Sequence, residues 1–218
     1  MNKLTMDAGR RPIARLTIVL VCAALFSMAA QAKKQQLPEV DADGLHLLKD
    51  TKVAVAYAKP DSSLAPYTKV MLTDCFVEFQ QNWQHNYNME QIGLNGRVSD
   101  KDAEAIKKQL AGEFRTVFTD VLTSAGHEVV DEAGPDVLLI RPALVNVNVV
   151  APDIRVSSMS RTYIRSAGSM TLYMELYDSA TDTLLARVAD PQADPERHSK
   201  PANRATNRAA ADRMLRSW

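Results

Sequence analysis

The chain has 218 residues, 46% of them hydrophobic and 24% charged, the balance of one ordinary globular domain and not of a disordered or repeatedly membrane-spanning chain. Its 26 basic and 26 acidic residues cancel, which excludes a global basic field for nucleic acid. Without Met1 to Ala32 the balance becomes 22 basic against 25 acidic residues, mildly acidic.

Those first 32 residues have the three parts of a secretory signal: basic Arg10, Arg11 and Arg15, an apolar run from Leu16 to Ala30, and small residues at Ala30 and Ala32. Cleavage is expected after Ala32. The run is 15 residues long, short of the roughly 20 that span a bilayer as a helix. Pro12 directly after the arginine pair argues against a twin-arginine signal, and Cys22 lies inside the apolar run without the small residues of a lipobox before it. An exported, periplasmic, soluble chain is therefore expected, with outer-membrane association through a lipid anchor as the alternative. Once Cys22 is removed Cys75 is the single cysteine, so an internal disulfide is excluded. Its neighbours Phe76, Val77 and Phe79 point to a buried, inert thiol.

Residues 33–66 read as an extended linker broken by Pro38, Gly44 and Pro60, and residues 67–218 as a single α+β domain. Val70 to Phe79 is β-branched and aromatic, a strand. Gln80 to Arg97, polar with two glycines, reads as an excursion loop. Ser99 and Asp102 have the spacing of a capping box, and Ala103, Ile106, Leu110, Phe114, Val117, Phe118, Val121 and Leu122 then recur at helical steps, predicting a helix from Asp100 to Ala125 that Gly126 stops. A short strand is expected at Glu128 to Val130. Asp136 to Val150 is a strand that begins as a continuous apolar run, with Val145, Val147 and Val149 on one face and a bulge or an exposed side expected at Pro142.

Ala167 to Asp190 gives the clearest hairpin signal. Gly168, Met170, Leu172, Met174 and Leu176 alternate with Ser169, Thr171, Tyr173, Glu175 and Tyr177, the turn residues DSATDT follow, and Leu184 to Ala189 resumes the alternation. Pro191 to Pro201 reads as a linker. The chain then ends in a helix with Ala210, Ala211, Met214, Leu215 and Trp218 on one stripe. The architecture expected is a mainly antiparallel sheet from Val70–Phe79, Asp136–Val150, Ala167–Tyr177 and Leu184–Ala189, with the long helix and the C-terminal helix packed on one face.

The usual catalytic signatures are missing: no Gly-x-Ser-x-Gly, no phosphate-binding glycine loop, no Cys-x-x-Cys. His46, His85, His127 and His198 lack metal-ligand spacing, so no metal and no cofactor is expected. Asp74 and Glu78 share a strand face, but about 13 Å apart, too far for a glycosidase pair. Arg141, inside an apolar strand, is expected to pair with a helix carboxylate. The connection from Ala151 to Ser166 carries the candidate binding residues Arg155, Arg161, Tyr163 and Arg165, whose guanidinium forks suit an anionic partner. A non-enzymatic binding or scaffolding module follows, its partner an envelope protein or cell-wall component. The alternative is a periplasmic hydrolase assembled from dispersed residues such as Asp74, Glu78 and His85.

The segments YAKPDSSLAPYTKVMLT, GPDVLLIRPALVNVNVVAPD, GSMTLYMELYDSATDTLLARVAD and NRATNRAAADRMLRSW, in that order, resemble the bacterial domain-of-unknown-function family 3313 over Gly44 to Trp218. The resemblance implies an exported, often lipoprotein-like envelope protein and carries no active-site residues. It also implies a final helix that runs on beyond the position of Trp218, whose completion is expected to stabilise the domain.

Overall fold

A computed structural model describes residues 37–91, 96–153, 163–195 and 200–218. The elements below all belong to the unit Pro38–Trp218. In chain order they are β1 (His46–Leu47), β2 (Val55–Ala58), β3 (Lys69–Leu72), β4 (Phe76–Phe79), α1 (Trp83–Glu90), α2 (Asp100–Ser124), β5 (Glu128–Val129), β6 (Val137–Val149), β7 (Tyr163–Ile164), β8 (Gly168–Asp178), β9 (Thr183–Ala193), β10 (Lys200–Pro201) and α3 (Arg204–Arg216).

Eight of these strands form one sheet in the order β1-β2-β9-β8-β6-β3-β5, with β4 also on β6, while β7 and β10 pair separately. The β6-β8-β9 meander is antiparallel. On the far side of β6, however, β3, β4 and β5 join in parallel. The sheet is therefore mixed, not mainly antiparallel as expected. The cause is α2: it carries the chain back over the sheet between β4 and β6, and a strand that returns through a crossover helix lies parallel to the one it left. The segment expected to run extended ahead of the domain supplies β1 and β2, and β2 pairs with β9 from Val55↔Ala189 to Ala58↔Ala186.

The alternation of the first hairpin strand appears as read, whereas in the second a register shift between Leu184 and Ala186 puts Leu185, not Leu184, into the core. Met170 and Leu172 are buried and Met174 and Leu176 pack beside them, on the face that also holds Val70, Leu72, Val77, Leu138, Ile140 and Leu144. Phe114, Val117 and Phe118 of α2 and Met214 and Leu215 of α3 lie in the same cluster, so both helices cover one face of the sheet. Phe114 and Phe118, one helical turn apart, stack with ring centres 4.0 Å apart. Val121, counted in the buried stripe of α2, is instead 41% exposed. The helix starts as predicted: Ser99 Oγ accepts from the N–H of Asp102 and Ser99 N–H donates to the Asp102 carboxylate. Gly126, at φ +90°, stops it.

Three local expectations are corrected. First, the bulge in β6 lies at Asn146, at φ 52°, between Val145 and Asn148. It moves Val147 onto the core face and separates it from Val145, against the simple alternation. Pro142 is buried and sits opposite the break between β3 and β4, whose pairings end at Ile140 and resume at Ala143. No ladder bond is lost to its missing N–H. Second, residues 83–90 of the expected loop form α1, which buries only Trp83. That indole stacks on Phe79 at 4.0 Å and donates to the carbonyl of Val149. Third, β9 runs through Pro191 to Ala193, beyond the end of β2.

Candidate functional site

Where β6 ends and β8 begins, α2 and α3 diverge enough to leave a cleft. One wall is the α2 stripe Ile106, Gln109, Leu110 and Glu113; the other is the α3 stripe Arg204, Asn207, Arg208 and Ala211. Both stripes follow the three- and four-residue steps of neighbouring positions on a helix. Val147 to Val149 and Gly168 to Met170 make the floor. The open space, mouth included, is about 750 Å³, of which about 100 Å³ admits water. Gly168 is needed there for the fold: at φ +140°, a Cβ would run into the carbonyl of Asn148, across from it on β6.

The lining is mostly aliphatic, and its charges sit at the mouth. Arg208 Nε pairs with Glu113 at 2.8 Å, and Arg204 Nε lies 3.8 Å from Asp153. The Glu113 side chain is only 11% exposed, whereas Arg204 and Arg208 keep most of theirs in solvent. On the wall between them, Asn207 Nδ2 donates to the carbonyl of Ala151 at 2.9 Å. Its Oδ1 is shut off from solvent and receives no hydrogen bond from the described residues. An orphaned acceptor of this kind costs roughly 1–3 kcal/mol. The cleft suits a molecule with an apolar body and a polar end at the edge where Arg204 and Arg208 stand.

Of the sequence candidates, Tyr163 and Arg165 are described and neither lines this cleft. Arg155 and Arg161 fall outside the described residues. Pro152 and Asp153, which open the same connection, line the cleft. Tyr163 and Arg165 flank Ile164 on β7; both point to solvent, Tyr163 at 57% exposure, while Ile164 is buried against Ala151, Ala167 and Ala210. Asn207, Glu113, Arg204 and Arg208 were not among the candidates. The signal for them was a polar stripe at 204, 207 and 208 directly beside the apolar one at 210, 211 and 214.

The residues of the hydrolase alternative are otherwise engaged. Asp74 bonds Arg115 at 3.0 Å and Glu78 bonds Lys107 at 3.3 Å. Those two partners stand eight residues apart on α2, about 12 Å along the axis. His85 is exposed on α1. Burial pushes the Cys75 thiol up to about 12, which keeps it protonated and unreactive. Among the described residues no three metal-ligating side chains gather.

A second concentration of ionisable groups covers the outer face of the sheet. Arg187 reaches Asp41 at 2.6 Å, Asp43 at 2.7 Å and Glu175 at 2.9 Å. Tyr173 and Tyr177 both donate to Glu175. Burial and the Glu175 carboxylate push the Tyr173 phenol up to about 12. Arg141 lies over the Tyr177 ring at 4.3 Å and pairs with Asp182 in the hairpin turn, not with a helix carboxylate as expected. Among the described residues these groups satisfy one another.

No curated protein matches the chain. Among solved structures it is similar to two PelC dodecamers from Paraburkholderia phytofirmans, at 8% and 10% identity. Each match covers 74% of this chain, with 91% and 93% of the PelC chains and TM-scores of 0.32 and 0.28. At those scores nothing of PelC carries over to this chain. The family described as "Protein of unknown function (DUF3313)" matches residues 46–218, most of the chain, and the protein belongs to that family.

Proposed function

We propose that this protein is an exported cell-envelope module that binds a partner without transforming it, with the cleft between α2 and α3 as its binding site. The observation that carries the reading is the aliphatic cleft between α2 and α3, with the exposed guanidinium groups of Arg204 and Arg208 at its edge. Export rests on the signal segment: the mature chain begins at Lys33, is periplasmic and carries no lipid, and Arg155, Arg161, Tyr163 and Arg165 contribute to partner binding. The separate engagement of Asp74 and Glu78 by α2 weighs against the hydrolase reading.

Intact mass of the protein recovered from the envelope tests export: a chain starting at Lys33 is expected, and a retained N-terminus or an added diacyl mass contradicts it. Replacing Arg155, Arg161 and Arg165 together by Ala should abolish partner capture in an envelope pull-down and leave Tm nearly unchanged, as expected of charges that serve a partner and not the fold. Turnover of an envelope substrate that disappears in Asp74, Glu78 or His85 variants would establish the enzyme instead.

A further inference from the structure

The helices α2 and α3 both cover one face of the sheet. On the other face Phe76 of β4 is 61% exposed, the most exposed aromatic ring among the described residues. The register continues from Phe76 to Ala143 on β6, from Ala143 to Tyr173 on β8, and from Tyr173 to Ala189 on β9. Their strand neighbours Val77, Leu144 and Leu172 are buried in the core, so alternation sets Phe76, Ala143 and Tyr173 in one row on the outer face, and the pairing with Tyr173 adds Ala189 to it. Ala143, Tyr173 and Ala189 are each half-buried. Ladder neighbours stand about 4.8 Å apart. The row therefore alternates a large and a small side chain at an even spacing.

That order is complementary to itself. A two-fold axis that runs along the strands between Ala143 and Tyr173 exchanges the first position with the fourth and the second with the third. Phe76 then stands over the second copy's Ala189, and Tyr173 over the second copy's Ala143, so each ring meets a gap. Two residues along the strands the register places Arg141 beside Glu175, and the same axis lays Arg141 over the second copy's Glu175. The Arg141 side chain keeps 45% of its surface in solvent while it bonds Asp182, which leaves it able to meet that opposite charge. We propose that the outer face of the sheet docks on a second copy of this chain in a two-fold, face-to-face dimer. Two sheets in this arrangement keep their strands nearly aligned, as sheets packed about 10 Å apart do. The contact is isologous and closes on itself. A face four strands wide covers less than the roughly 800 Å² a side of a tight complex, so the dimer is reversible. The cleft between α2 and α3 lies on the helical side and is left open by it.

Sedimentation of the full mature chain over a rising concentration series tests the proposal. A reversible monomer–dimer equilibrium is expected, weakened at least about tenfold by Phe76→Ser and by Ala143→Arg. The melting temperature of Phe76→Ser should stay near the parent's at concentrations where both are monomeric, because the ring is in solvent in the single copy. Cross-linking reads the axis directly and decides if Ala143→Arg does not fold. In a Cys75→Ala background, Phe76→Cys chains mixed with Ala189→Cys chains should be joined by a short bis-maleimide. Neither variant should be joined to itself, since like positions lie about 14 Å apart across the axis. A parent that is monomeric at every concentration, even one whose outer face captures another envelope protein, would overturn the proposal. So would a dimer that Phe76→Ser leaves unweakened, or a cross-link as efficient between two Phe76→Cys chains as between the unlike pair.

Discussion

The indole N–H of Trp218 donates to Oδ2 of Asp190 at 2.8 Å. Asp190 lies on the inward side of β9, 8% exposed, and its other oxygen accepts from the backbone N–H of Ala54 at 2.7 Å, while Gln192 Nε2 also reaches Oδ2. One carboxylate thus fastens the approach to β2, the strand β9 and Trp218, two residues past α3. Trp218→Phe keeps the ring against the core but loses the charge-assisted bond, and should cost about 1.5 kcal/mol. Asp190→Ala removes the acceptor of three donors and should cost more, about 3 kcal/mol. Urea titrations with unchanged slopes check both; a Trp218→Phe variant as stable as the parent would show that the bond contributes nothing.

The outer-face network predicts a pH dependence. Burial pushes the Glu175 carboxyl up, but hydrogen bonds from Tyr177, Arg187 and Tyr173 outweigh it and hold the group below its ordinary 4.5. A carboxyl held lower in the folded than in the unfolded chain adds stability that is complete above its ordinary value and is lost as pH falls through the folded one. Melting temperature should therefore fall more steeply below pH 4.5 in the parent than in Glu175→Gln. Parallel acid profiles would contradict this account of the network.

Gly168 admits no side chain. At φ +140°, with the Asn148 carbonyl where a Cβ would stand, Gly168→Ala must open the β6-β8 ladder at the cleft floor. A loss of about 3 kcal/mol is expected. Gly112→Ala, in an α2 position with open space, should change stability little or improve it. Chemical denaturation of the two variants side by side checks the contrast, and equal effects would refute it.

What could be read from the sequence was what local periodicity and caps encode. Met170 to Leu176 and Phe114 to Phe118 carry their burial in their spacing, and Ser99 with Asp102 marks a helix start directly. The parallel joining of β3 and β4 to β6 was not legible, because it depends on where α2 delivers the chain and not on any residue within those strands. Nor was α1: WQHNYNME has no apolar stripe, and it is held by Trp83 bonding a strand 66 residues away. The cleft was missed for a related reason. Its orphan acceptor arises only when Asn207 and Ala151 meet, and neither residue is unusual in its own stretch.

The central claim is that the cleft is occupied in the cell. A photo-crosslinking residue at Gln109, on the cleft wall, is compared in intact cells with one at Val121, exposed on the same helix away from the cleft. The account predicts a discrete adduct from position 109, readable as an added mass on the intact chain, that is absent from position 121 and lost with Arg204→Gln and Arg208→Gln. The same adduct from both positions, or none from 109 while the purified protein turns over an envelope substrate, would contradict it.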